Sequence, residues 1–237
     1  MALPKLNDSP KYSINVPSTG KEVSFRPYLV KEEKTLMIAL ETQDPKATLN
    51  AVVNTIESCL YDKINLSDLT SFDIEYMFTQ IRAKSAGETT SVGISCSECS
   101  AQNEITIKID DIKVEVPEVS KAVELNGEVT MKLKWPSYAS LASFETPDGD
   151  NIKTDDAFRM ACKCIEAIEF NEERVLAEDC TENELLEFIE SMNTNQFKTI
   201  MDWLNQMPKM EHTVNFDCVK CQHKNTQTLS GIQTFFS

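Results

Sequence analysis

Two short stretches of this chain carry the residue types most able to do chemistry. Residues 94–103 read ISCSECSAQN and residues 216–225 read FDCVKCQHKN. Each holds a C-x-x-C pair, Cys96 with Cys99 and Cys218 with Cys221. A two-residue gap lets both thiolates of a tight knuckle face one tetrahedral metal ion. Two such pairs in matched settings point to a single structural zinc site of four thiolates, with no position left for a reactive water. Two other arrangements compete. A thiol oxidoreductase places its C-x-x-C where a strand gives way to a helix, whose N-terminus lowers the thiol pKa; here strand-like sequence follows each knuckle. Two separate metal sites need ligands from elsewhere. His223 could serve the second knuckle, but the first has no matching histidine, and His212 and His223 read as solvent-facing polar residues. Cys59, Cys162, Cys164 and Cys180 read as small hydrophobes of the core, the first three inside runs with helical apolar spacing.

The knuckles need hairpins to present them. Alternating apolar residues flank both pairs, in SVGIS and NEITIKI around the first and TVNFD and NTQTL around the second. That pattern predicts a knuckle at the tip of a two-stranded hairpin. Upstream, Ile74, Met77, Phe78 and Ile81 form an i, i+3, i+4, i+7 stripe, and Phe197, Ile200, Met201 and Leu204 repeat it. Val92, Ile94 and Cys96 match Val214, Phe216 and Cys218; Asn103 matches Asn225, and Ile107 matches Leu229. A weaker match sets TIESCL at 55–60 against CIEAI at 164–168. These correspondences predict an internal duplication of helix, break, strand, knuckle and strand. The expected organisation is two halves, 1–117 and 118–237, each with one repeat and clipped into one compact unit by zinc. Fold class follows as α+β: a helical body with two knuckle hairpins joined in a zinc-ribbon-like site.

The remaining elements read more plainly. Strands are expected at 12–16 and 21–26, along 104–117, and in VTMKLKW up to Pro136, with an Asn126-Gly127 hairpin turn before the last. Helices are expected at about 30–44, 46–61, 153–167, 182–191 and 195–206. Thr181 and Glu184 have capping-box spacing for the fourth. TPDGDN at 146–151 is a turn without calcium-loop spacing. Phe235 and Phe236 are expected to pack back on the core.

Composition narrows the function. Net charge is −15 and pI near 4.6, and no basic stripe is present, which argues against nucleic-acid binding. Acid concentrates in 166–190, where ten Asp and Glu face Arg174 alone; such a run is a solvated helix face or a docking surface for a basic partner. No signal peptide and no run long enough to span a bilayer are visible, so a cytosolic chain with reduced cysteines is expected. With two histidines, no phosphate loop and no nucleophile motif, no catalytic site is expected.

The stretch SFRPYLVKEEKTLMIALE at 24–41 resembles the small baseplate hub proteins of T-even-type contractile-tailed bacteriophages. The resemblance implies a non-enzymatic protein that helps build the tail hub in the host cytoplasm. It would act as a hub component or as an assembly factor that leaves before the virion matures, with other hub proteins as partners. A zinc-ribbon adaptor in transcription or nucleic-acid metabolism is the alternative from another class, disfavoured by the acidic charge.

Overall fold

The computed structural model describes residues 9–142, 144 and 154–230. The chain divides into two compact units, one made of residues 1–115 with 209–237 and the other of 116–208. The compact units therefore do not follow the halves 1–117 and 118–237. The C-terminal hairpin belongs to the same unit as the first, and the second unit is inserted between them.

The first unit begins with hairpin β1 (Tyr12–Asn15) and β2 (Glu22–Phe25). Helices α1 (Val30–Glu41), α2 (Pro45–Cys59) and α3 (Ser71–Ala86) follow. Gln43, in the left-handed region at φ 54°, turns the chain between α1 and α2. Asp44 caps α2 through the Lys46 amide, with Pro45 in its first turn, where a missing N–H costs nothing. The first apolar stripe is the core of α3: Ile74, Met77, Phe78 and Ile81 are all buried. Its start is fixed by Thr70 and Asp73, which cap reciprocally. Asp73, fully buried, also accepts from the Ser18 amide at 2.8 Å, tying the β1–β2 turn to the helix. Each large side chain buried here stabilises by roughly 1.5–3 kcal/mol.

Two antiparallel hairpins complete this unit: β3 (Thr89–Ser95) with β4 (Gln102–Lys108), and, from the far end of the chain, β9 (Glu211–Asp217) with β10 (Lys224–Ser230). Alternation buries Val92, Ile94 and Ile107 of one pair and Val214, Phe216 and Leu229 of the other. Together with Ile112 and Met210 they form one apolar cluster. The expected strand over 104–117 stops at Lys108, because a 3-10 turn at Ile109–Asp111 breaks the alternation.

The second unit is a four-stranded antiparallel sheet, β5 (Ala122–Asn126), β6 (Val129–Leu133), β7 (Ile165–Phe170) and β8 (Glu173–Leu176), paired in that order. Its helices are α4 (Tyr138–Ala142), α5 (Thr154–Lys163), α6 (Glu182–Glu190) and α7 (Thr194–Leu204). Trp135 and Trp203 stack with centroids 3.8 Å apart, and Phe158 stacks on Phe197 at 4.5 Å. The capping box of α6 forms as its spacing predicts: Glu184 accepts from the Thr181 amide at 2.7 Å. The β5–β6 turn is Gly127 and Glu128, with Gly127 at φ 38°; the expected Asn126-Gly127 turn is displaced by one residue because Asn126 pairs with Val129 as the end of β5.

Three expectations are corrected here. The helix over 153–167 ends at Lys163, and Ile165, Ala167 and Ile168 enter the sheet as β7, paired with β6. Cys164 thus sits at a helix–strand junction. The match of TIESCL to CIEAI consequently sets a helix against a strand. The acidic run is a helix face only along α6; its first half is β7, β8 and their turn. Finally, α7 belongs to the inserted unit while α3 belongs to the hairpin unit, so the two apolar stripes do not occupy equivalent places. The turn at 146–151 and Phe235 and Phe236 lie outside the described residues.

Candidate metal centre

Each knuckle is the six-residue loop closing a hairpin whose last strand pairs are Ser95 with Gln102 and Asp217 with Lys224. The Cys96 amide donates to the Ala101 carbonyl at 2.9 Å and the Ser100 amide to the Cys96 carbonyl at 3.0 Å. The second loop repeats this: Cys218 donates to His223 at 2.9 Å and Gln222 to Cys218 at 2.9 Å. Ser100 and Gln222 are left-handed, at φ 56° and 58°, which lets the chain fold back and turn both sulfurs inward. The two hairpins share one strand register at a constant offset of 122 residues (211 − 89 = 230 − 108).

The loops meet sulfur to sulfur. Cys96 Sγ lies 3.7 Å from Cys221 Sγ, and Cys99 Sγ lies 3.7 Å from Cys218 Sγ. All four sulfurs lie within 4.8 Å of one another. A disulfide needs about 2.05 Å, so none is formed. A tetrahedron of sulfurs around a metal at ~2.3 Å has an edge of about 3.8 Å, close to the 3.7 Å of the two pairs between knuckles. The four cysteines predicted as ligands are thus brought together, from sites 119 and 125 residues apart, in an array that could hold a metal ion. Cys96 and Cys218 are buried, Cys99 is half-buried and Cys221 exposed, so the cluster opens to solvent on one side.

Backbone amides supply the local field. Those of Cys99 and Glu98 hold the Cys96 thiol below its usual range. Those of Cys221 and Lys220 hold Cys218 down to about 6. At Cys221 the His223 amide also donates, yet hydrogen bonding with Cys99, Cys218 and Cys96 keeps the proton there and pushes it up to about 12. Four sulfurs this close cannot all be thiolate without a cation among them, and a metal entering the site would displace the remaining protons.

The other cysteines behave as core. Cys59, Cys162 and Cys164 are buried; burial pushes Cys59 up to about 11 and Cys164 to about 12. Cys180 is half-buried, its thiol donating to the Leu176 carbonyl. His223 is exposed and His212 half-buried on β9. Two residues have a role that their spacing alone did not assign: Asn103 and Asn225, 2% and 6% exposed. Each carboxamide reaches the opposite knuckle. Asn103 Oδ1 accepts from the Val219 amide at 2.9 Å, and Asn225 Oδ1 from the Ser97 amide at 3.0 Å.

The fold and site define an α+β protein in which two hairpins far apart in sequence assemble a four-cysteine cluster. The chain belongs to the T4 bacteriophage base plate protein family, which matches residues 9–237. No curated protein and no solved structure matches it. Membership bears out the resemblance seen at 24–41 and makes this a phage structural protein of the tail baseplate, whose partners are other proteins of that assembly. Within that stretch Arg26 pairs with Glu32 at 2.9 Å and donates to the Ser58 carbonyl at 2.8 Å. Glu32 also accepts from the Leu29 amide at 2.9 Å, so these residues join the start of α1 to the end of α2. Among the described residues no helix is long and apolar enough to cross a membrane.

Proposed function

We propose that the chain is a non-enzymatic protein of the baseplate hub, either a hub component or a hub assembly factor, working through protein contacts in the host cytoplasm. The observation that carries this reading is the family match over nearly the whole chain. The cysteine cluster is its structural zinc site. Four thiolates in a tetrahedral array suit zinc and leave no coordination position for catalysis. Sulfurs of different knuckles approach to 3.7 Å within one four-sulfur array, whereas a redox-active C-x-x-C closes its disulfide within one knuckle and needs no second pair. The gathering of both pairs at one point favours a metal clip over a thiol oxidoreductase.

The common register of the two hairpins supports duplication of the hairpin itself, with the second unit inserted between the copies. The acidic run at 166–190 is a candidate docking face on that inserted unit, where Arg174 is drawn to Glu166 and Glu169.

The test is capture of tagged protein from infected cells, with the co-purifying proteins identified. Tail-hub proteins are expected, and comparison with purified virions separates a component from an assembly factor. Recovery of polymerase subunits with retention on heparin at low salt would instead support the nucleic-acid adaptor.

A further inference from the structure

We propose that Asn103 and Asn225 form a crossed clamp that docks the two knuckles in the correct relative position before any metal binds. The inference deepens the zinc reading, since it concerns how that site is pre-organised, yet it stands on contacts that need no metal.

Each asparagine uses both ends of its carboxamide. On its own hairpin, Asn103 Nδ2 donates to the Ala101 carbonyl at 2.8 Å and Asn225 Nδ2 to the His223 carbonyl at 2.9 Å. Across the interface, the two oxygens accept the first amide after the leading cysteine of the opposite knuckle, Val219 and Ser97 respectively. The positions correspond at the same offset as the strands. Asn225 goes further: its Oδ1 accepts from Ser97 Oγ at 2.9 Å, and its Nδ2 contacts Cys96 Sγ at 3.5 Å. A carboxamide carries a donor and an acceptor on one planar neutral group, as this bridge requires. Aspartate would set an acceptor against a carbonyl, and leucine would leave a carbonyl and an amide N–H without this partner.

The geometry also explains why Val219, 82% exposed, needs no side-chain contact: its backbone N–H is what the opposite hairpin reads. Because the bridged amides adjoin Cys96 and Cys218, the clamp sets the distance between the leading cysteines of the two knuckles. A metal then meets four sulfurs already gathered, and outer-shell groups of this kind typically change metal affinity by about 10–100-fold.

Amide hydrogen exchange on the metal-free full-length protein, prepared with a chelator, tests this. Unsubstituted protein should protect both the Ser97 and Val219 amides. Asn103→Ala should deprotect Val219 on the other hairpin and Asn225→Ala should deprotect Ser97, each at least 10-fold. If an alanine variant does not fold, the unsubstituted metal-free protein serves: a scalar coupling across the hydrogen bond from the Val219 amide to the Asn103 carboxamide should be observed, and its absence overturns the clamp. Exchange that is unchanged, or that rises only on the substituted hairpin, overturns the clamp. A second arm follows tetrahedral cobalt(II) absorption. It should appear at about 10–100-fold higher cobalt in either alanine variant. A protein that binds no cobalt but shows the crossed exchange pattern retains the clamp and loses the metal reading.

Discussion

Replacing Cys218 with Ser should remove both a buried ligand and the cross-link that it makes. Cys218 is 1% exposed and its sulfur meets that of Cys99, 119 residues away in sequence. A metal held only by the folded protein leaves the unfolded chain unconstrained, so it stabilises by binding linkage, about 4.1 kcal/mol at about 1,000 times its dissociation constant. Zinc held at about 100 times its dissociation constant stabilises by about 2.7 kcal/mol. Against this, the apolar cluster around Val92, Ile107 and Phe216 and the asparagine contacts hold the hairpins without metal. The expected loss is therefore about 3–4 kcal/mol, seen as roughly a 10–15 °C fall in the unfolding midpoint of a unit of this size. The assay is thermal unfolding by circular dichroism beside a metal count per chain, with and without chelator. Chelator should bring the unsubstituted protein to the variant's midpoint and should not lower the variant further, since both remove the same interaction. A variant with unchanged zinc and an unchanged midpoint refutes the four-thiolate site.

Other consequences are simpler. Met77→Ala and Ile81→Ala, both at positions with no exposure, should each cost about 2–5 kcal/mol in urea unfolding. Asp73→Ala should cost about 1–3 kcal/mol by the same measure, since it removes the α3 cap and the acceptor for Ser18. Burial holds Glu75 up at about 7. A carboxyl raised on folding contributes stability below its unfolded pKa and loses it as pH rises through the folded one, so Glu75 should destabilise between about pH 4.5 and pH 7. Glu75→Gln should remove that part of the pH dependence and gain on the order of 2 kcal/mol at pH 8, read from unfolding midpoints across pH. Ser100→Gly and Gln222→Gly relieve left-handed backbone and should each raise the midpoint, by up to about 1 kcal/mol.

Much of the site was legible because its constraints are local. Spacing within each C-x-x-C and alternation on either side require no knowledge of the rest of the chain. The α3 stripe was equally plain, as its four residues all turn into one core. What failed was long-range or ambiguous. CIEAI has apolar residues that suit a buried strand as well as a helix, and only pairing with β6 decides between them. The split into units was hidden because the second hairpin packs with a hairpin more than a hundred residues before it. That contact leaves no periodic trace in sequence. Asn103 and Asn225 were visible as matched positions, but a crossed pattern of hydrogen bonds appears only once both hairpins are in space.

The most direct measurement is X-ray absorption at the zinc edge on full-length protein purified without added metal. The account predicts one zinc per chain, surrounded by four sulfurs at about 2.3 Å. Nitrogen or oxygen ligands in the first shell, two zinc ions per chain, or a protein without zinc would contradict it.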